Sequence, residues 1–176
     1  MEMKEFYYQD EIRVSLFNLD HEAVPYHFHQ TVSDMIFCSA GMIRIELPEL
    51  GKLFTVPKGK AFQIPSQVKH RFANGAPEGE KSRYVLVQLG NFDIEFVKDT
   101  QEMQALLFDT LLQSADNTQV YIEDRKQDIL GLARRFAQNR PEELTEEENS
   151  DVIEALEYFA RYGVESVYPL MPEEIA

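Results

Sequence analysis

A change of period partway along the chain constrains its fold more than any single motif. Up to about residue 98 the apolar residues come in short runs, and beyond it they recur at helical spacing. Residues 12–17 (IRVSLF) alternate apolar and polar side chains, as a half-buried strand does. Runs at 35–38, 42–47, 53–56 and 61–64 follow, and two more at 84–89 and 92–97 lie beyond a Gly/Pro-rich stretch at 74–79. Gly41, Gly51, Pro57, Gly59 and Gly90 punctuate them. Many short strands at this spacing predict a β sandwich or barrel, not a parallel sheet with helices between its strands.

In the second part Met103, Leu106, Leu107, Leu111 and Leu112 fall at helical spacing. So do Ile129, Leu132, Ala133 and Phe136, and then Val152, Ile153, Leu156, Phe159 and Ala160. Thr145 with Glu148 three residues on forms a capping box for the last helix, and Gly163 supplies a stop. Gly131 weakens the middle helix. With no repeat and no low-complexity linker, the expected division is a barrel over 1–98 and a helical extension over 99–176. That extension is expected to pack on the barrel or on a second subunit, which makes a homodimer the expected assembly.

Charge and cysteine content narrow the setting. Thirty-one acidic against 17 basic residues give a formal net charge of −14, which repels phosphate backbones and anionic membranes. Nucleic acid and membrane are therefore excluded as expected partners, and the acidic run at 141–148 reads as a solvated helix start. One cysteine, Cys38, permits no intrachain disulfide. The first residues, MEMKEFYY, lack the basic-then-apolar order of a signal peptide, and no apolar run approaches the roughly 20 residues of a membrane helix. A cytoplasmic location is expected.

The chemistry concentrates in Tyr26-His27-Phe28-His29. Residues two apart on a strand face the same way, so both imidazoles share one side, about 7 Å apart along the strand. Neutral imidazoles so placed can converge on zinc, iron, nickel or copper. His27 and His29 are followed after four residues by Asp34 and after six more by Gly41. Seventeen residues separate Gly41 from Gly59, and Pro65, Gln67, His70 and Asn74 follow.

This pattern resembles the two short motifs of the cupin superfamily, over roughly residues 12–97. The resemblance implies a cupin-type double-stranded β-helix (jelly-roll) barrel followed by C-terminal α-helices. It implies one divalent transition metal ion (Fe, Zn, Ni or Mn) on His27, His29 and His70, with Asp34 in the place of the family's glutamate. Three departures stand out: His21 where a glycine opens the first motif, Gln67 where the second has a turn glycine, and Asp34 one methylene shorter than glutamate. Asp34 could ligate, bind through water, or accept a hydrogen bond from a ligand imidazole.

Alternation extends the reading to the interior. Ile36 and Cys38 are in phase with Asp34, and Phe62 and Phe72 are the expected wall aromatics of a pocket for a small, partly apolar molecule. Cys38 reads as a small buried apolar residue in preference to a reactive thiol. Tyr26 and Arg44 are weaker candidates for the pocket mouth. Two functions follow: a metal-dependent oxygenase or isomerase, or a non-catalytic small-molecule sensor. The second rests on residues 62–70 and the trailing helices, which resemble the sensor domains of AraC-type regulators; no room is expected here for their DNA-binding helices.

Overall fold

The computed structural model describes residues 1–115 and 119–165. The final stretch of the expected helical extension, 166–176, lies outside the described residues, as does 116–118. Strands β1 (Glu2–Gln9), β2 (Ile12–Leu19), β4 (Asp34–Ala40), β7 (Ala61–Ile64) and β9 (Ser82–Leu89) form a sheet in the order β1-β2-β9-β4-β7. Strands β5 (Met42–Leu47), β6 (Lys52–Pro57), β8 (Arg71–Asn74) and β11 (Leu112–Ser114) form a second, ordered β11-β6-β5-β8. The short β3 (His27–Phe28) pairs with β10 (Glu95–Phe96). The helices are α1 (Thr100–Ala105), α2 (Lys126–Gln138) and α3 (Glu146–Tyr162). The chain is mostly β, two largely antiparallel sheets facing one another with helices following most of the strands.

Period-two alternation sorts the side chains of the five-stranded sheet onto two buried faces. Phe17, Ile36, Cys38, Phe62, Tyr84 and Leu86 turn inward, where they meet Ile43, Ile45, Phe54 and Phe72 of the facing sheet. Val14, Leu16, Met35, Phe37, Val85 and Val87 turn outward into a second cluster with α2 and α3. Burial on both faces explains why β9 reads as a nearly continuous apolar run. The helices answer with Ile129, Leu132, Ala133 and Phe136 from α2 and Val152, Leu156, Phe159 and Ala160 from α3. Gly131 faces solvent on α2, where an added Cβ would meet nothing.

Helix α3 starts as its sequence predicts, on a complete Thr145–Glu148 capping box. It stops at Gly163, where any Cβ would stand 2.3 Å from the Phe159 carbonyl oxygen and 2.8 Å from Ile122. Glu148 also receives Lys4 Nζ at 2.6 Å and Asn18 Nδ2 at 2.9 Å, which ties α3 to the β1-β2 hairpin.

The structure departs from the sequence reading at three places. Strand β1 is not foreshadowed by alternation, because as an edge strand it is largely exposed on both faces. The helical spacing at 103–112 yields only the six residues of α1. The chain then turns through Asp109, at φ 63°, and residues 112–114 pair in parallel with β6, covering its edge. Within 92–97 only Glu95 and Phe96 are in a strand, and this pair closes on the strand that carries His27. Among the described residues no helix is long and apolar enough to cross a membrane.

The Glu148 junction has a pH signature. Burial works against its charge, but the Lys4 ammonium, the Thr145 N–H and the Asn18 amide outweigh it and pull its pKa from 4.5 to about 2. A depressed carboxyl pKa stabilises the fold fully above the unfolded value, and that contribution is lost as pH falls toward 2. Glu148→Gln is therefore expected to lower stability by about 1–2 kcal/mol at pH 7. Denaturant titrations should show the deficit shrinking between about pH 4.5 and 2.

Candidate metal centre

Backbone pairing brings the histidines together. His27 and His70 exchange main-chain hydrogen bonds, N–H to O at 3.0 and 2.9 Å, which joins the ends of β3 and β8. His29, one residue beyond β3, accepts the Gln67 N–H on its carbonyl at 2.6 Å. Gln67 holds φ at 66°, the left-handed conformation a glycine would adopt freely. The turn geometry thus survives the replacement, with strain of about 1–2 kcal/mol.

The ring centroids lie 4.4 Å apart for His27–His70, 5.1 Å for His27–His29 and 5.6 Å for His29–His70. Each ring rests its Nδ1 against a backbone carbonyl: His27 on Pro25 at 2.7 Å, His29 on Asp93 at 2.6 Å, and His70 on Val68 at 2.7 Å. A carbonyl oxygen can only accept, so each Nδ1 carries the hydrogen and donates it. In a neutral ring Nε2 is then left with a lone pair.

Asp34, at the start of β4 and fully buried, completes the group. Its Oδ2 lies 2.8 Å from His70 Nε2 and its Oδ1 3.2 Å from His29 Nε2, the latter without hydrogen-bond alignment. One potential ligand atom from each of His27, His29, Asp34 and His70 falls within 4.8 Å of the others. Lone pairs of a carboxylate and of imidazoles with committed Nδ1–H groups repel unless a cation, proton or metal, stands between them. The donor set is one that transition metals accept, and the unpartnered His29 Nε2 fits such an ion. The shorter side chain of Asp34 still reaches the imidazoles.

The electrostatics agree with a site poised for positive charge. Burial opposes ionisation of Asp34, yet His29 and His70 hold its carboxyl well below the usual range. Burial also opposes the His29 cation, but the Asp34 carboxylate outweighs it and raises the pKa. For His27, burial and the neighbouring His70 push the pKa down to about 4.

Behind Asp34 runs a chain of polar contacts invisible in the motifs. Gln88 Nε2 donates to Asp34 Oδ1 at 2.7 Å, Arg13 donates to Gln88 Oε1 at 2.7 Å, and Glu5 pairs with Arg13. The register of β2 against β9 places Arg13 opposite Gln88 and Phe17 opposite Tyr84, all on the inward face. Alternation along 84–89 is the signal that could have found Gln88 and Tyr84. Nothing in the sequence marks the Asp93 carbonyl, since it acts through the backbone.

A cavity of about 310 Å³ opens beside His27 and His29, with Phe17, Phe72, Tyr84 and Leu86 on its walls. Larger depressions near Arg83 and near Arg135 contain none of the four metal-ligand candidates. Of the expected pocket residues, Phe72 lines the cavity. Ile36, Cys38 and Phe62 are instead packed into the interior, where Phe62 meets Phe54 at 5.1 Å. Tyr26 and Arg44 are also away from the cavity. Tyr26 is buried with its hydroxyl on Glu46 and the Arg71 guanidinium 4.3 Å over its ring, and Arg44 lies beside the same carboxylate. His21 is an exposed turn residue.

No family model and no curated protein matches the chain. Solved structures do resemble it. One is a polyketide cyclase, RemF, from Streptomyces resistomycificus, with 24% identity over 59% of this chain and 75% of that one, TM-score 0.47. An uncharacterised double-stranded β-helix protein from Klebsiella pneumoniae has 16% identity over 52% and 74%, TM-score 0.46. KdgF from Halomonas sp. has 16% identity over 52% and 81%, TM-score 0.44. Fold and site together define a protein of two facing β sheets whose interior gathers three imidazoles and a carboxylate that could hold a metal ion.

Burial pushes the Cys38 thiol up to about 11, so at neutral pH it is neither ionised nor accessible. An aromatic disulfide reagent is expected to leave the native protein unlabelled over the time in which the denatured chain reacts with one equivalent. Fast labelling of the native protein would contradict this placement.

Proposed function

We propose that the chain is a metal-dependent cupin that binds one divalent transition ion (iron, zinc, nickel or manganese) on His27, His29, Asp34 and His70 and acts on a small molecule in the adjoining cavity. The observation that carries this reading is the orientation of the donors. Three Nδ1–H groups are committed to carbonyls, so each opposite nitrogen keeps a lone pair, and those of His29 and His70 lie 3.2 and 2.8 Å from one buried carboxylate. When bound, such an ion supplies Lewis acidity or, as iron, dioxygen chemistry, which makes an isomerase or a dioxygenase the expected enzyme class. The residues do the remaining work. Gln88 fixes the Asp34 carboxylate, the backbone carbonyls fix the ring tautomers, and Phe17, Phe72 and Leu86 keep water from the apolar side of the cavity.

One further observation favours a second reading, a ligand sensor without chemistry of AraC-sensor type. The sheet that lines the cavity on its inner face carries α2 and α3 on its outer face, so an occupant could be felt by the helices. A homodimer and a cytoplasmic location belong to both readings. Leu106, Phe108, Leu111 and Leu112 stand exposed around the β11 edge and offer an apolar surface for a second copy. Light scattering is expected to give twice the chain mass, and a monomer at micromolar concentration would remove the dimer.

Elemental analysis of the purified protein, reconstituted if necessary, is expected to find close to one equivalent of a transition metal. His27→Ala and His70→Ala should each lose it, and Gln88→Leu should weaken it about 10–100-fold by releasing Asp34. No uptake of any of the four metals by the folded protein would overturn the metal reading and leave the sensor.

A further inference from the structure

We propose that Asp93 is a positioning residue of the metal centre: its carboxylate grips the turn that follows His29, and this fixes which nitrogen of the His29 ring faces the ion. The proposal rests on reading His27, His29, Asp34 and His70 as one metal site, and it names what sets the direction of one of the donors.

Asp93 holds three consecutive residues with two groups. Its carbonyl accepts the His29 Nδ1–H at 2.6 Å. Its carboxylate accepts the Gln30 N–H at 2.9 Å and the Thr31 N–H at 3.3 Å. The Thr31 hydroxyl donates to the Asn91 carbonyl at 2.6 Å, which closes the turn onto the same segment. Hydrogen bonds to a carboxylate are roughly twice as strong as those between neutral groups. Carboxylate and carbonyl are joined through Cβ and Cα of one residue, so anchoring the first restricts where the second can point.

Without that grip the ring has an alternative. Asp34 Oδ1 lies 3.2 Å from His29 Nε2. A ring released from the Asp93 carbonyl can carry its hydrogen on Nε2 and donate it to Asp34, and that nitrogen then has no lone pair for a metal. The structure forgoes this bond: His29 Nε2 is buried and without a hydrogen-bond partner. Leaving a buried polar atom unpaired beside an available acceptor costs stability. Something must hold the ring against that gain, and Asp93 is the residue placed to do so.

The other anchors of the 90–97 segment bear on different residues. Gly90 N–H donates to the Glu11 carbonyl at 2.7 Å, Phe92 N–H to the Tyr8 hydroxyl at 2.9 Å, and Val97 N–H to the Tyr26 carbonyl at 2.9 Å. Glu95 and Phe96 pair with Phe28 and His27. Loss of the Asp93 carboxylate therefore leaves the segment in place and loosens the hold on His29.

Long-range proton–nitrogen correlation spectra of the metal-free protein, at a pH high enough for neutral rings, report which His29 nitrogen carries the hydrogen. Wild type is expected to show the Nδ1–H form. Asp93→Ala is expected to shift toward the Nε2–H form and to bind zinc about tenfold more weakly in competition with a chromophoric chelator. Asp93→Asn removes the same charge but keeps one acceptor oxygen, so it should retain the Nδ1–H form. Glu95→Ala, which removes a neighbouring carboxylate that meets the Gln30 side chain at 3.1 Å, should leave the tautomer unchanged. The proposal is overturned if Asp93→Ala keeps the Nδ1–H form, whatever its melting temperature, or binds zinc as tightly as wild type. It is equally overturned if Asp93→Asn or Glu95→Ala shifts the tautomer as far as Asp93→Ala does. No zinc uptake by wild type, with the tautomer shift confined to Asp93→Ala, would remove the metal reading while supporting the hold of Asp93 on His29.

Discussion

Three imidazole N–H groups donate to the backbone carbonyls of Pro25, Val68 and Asp93, and the chemistry of the interior depends on that constraint. A free imidazole offers either nitrogen. Once the carbonyls have taken one, the tautomer and the direction of the remaining lone pair are set before any ligand arrives. The carbonyls in turn are held by chain pairings: the His27–His70 bridge, the Gln67 turn under His29, and the β3-β10 pair that brings the 92–97 segment across. Pre-organisation here is a property of the backbone as much as of the side chains.

The five-stranded sheet is what makes this arrangement stiff. One face packs against the second sheet around Phe54, Phe62 and Phe72, and the other takes the apolar stripes of α2 and α3. Asp34, Gln88 and Tyr84 project inward from strands whose alternate residues are clamped from outside. A displacement at the carboxylate would have to move Met35 or Val87 against the helices. The same architecture that fixes the site also joins it mechanically to the helical layer, and for that reason enzyme and sensor readings share one structure.

Much of this was legible in the sequence, and what was not has identifiable causes. Alternation located the central strands and the inward phase of Asp34, Ile36 and Cys38, because burial on opposite faces imposes a period of two. The Thr145–Glu148 box marked α3, since a cap is a local motif. The resemblance to the cupin motifs implies His27, His29, Asp34 and His70 as one group, and the structure brings one potential ligand atom of each within 4.8 Å of the others. Strand β1 escaped because an exposed edge leaves no hydrophobic pattern. The leucines at 103–112 misled because spacing at helical period does not exclude a turn followed by an edge strand. Phe62 and Cys38 were placed on the correct face but not at the cavity, since alternation reports a side chain's direction and not where packing leaves space. The Gln88–Arg13–Glu5 chain required the β2-β9 register, which no single segment contains.

The most direct test of the central claim is the X-ray absorption spectrum of the zinc-loaded protein. Nitrogen and oxygen neighbours at about 2.0–2.1 Å are expected, with the multiple scattering of three imidazoles. Sulfur at about 2.3 Å, or an imidazole count below three, would contradict that claim.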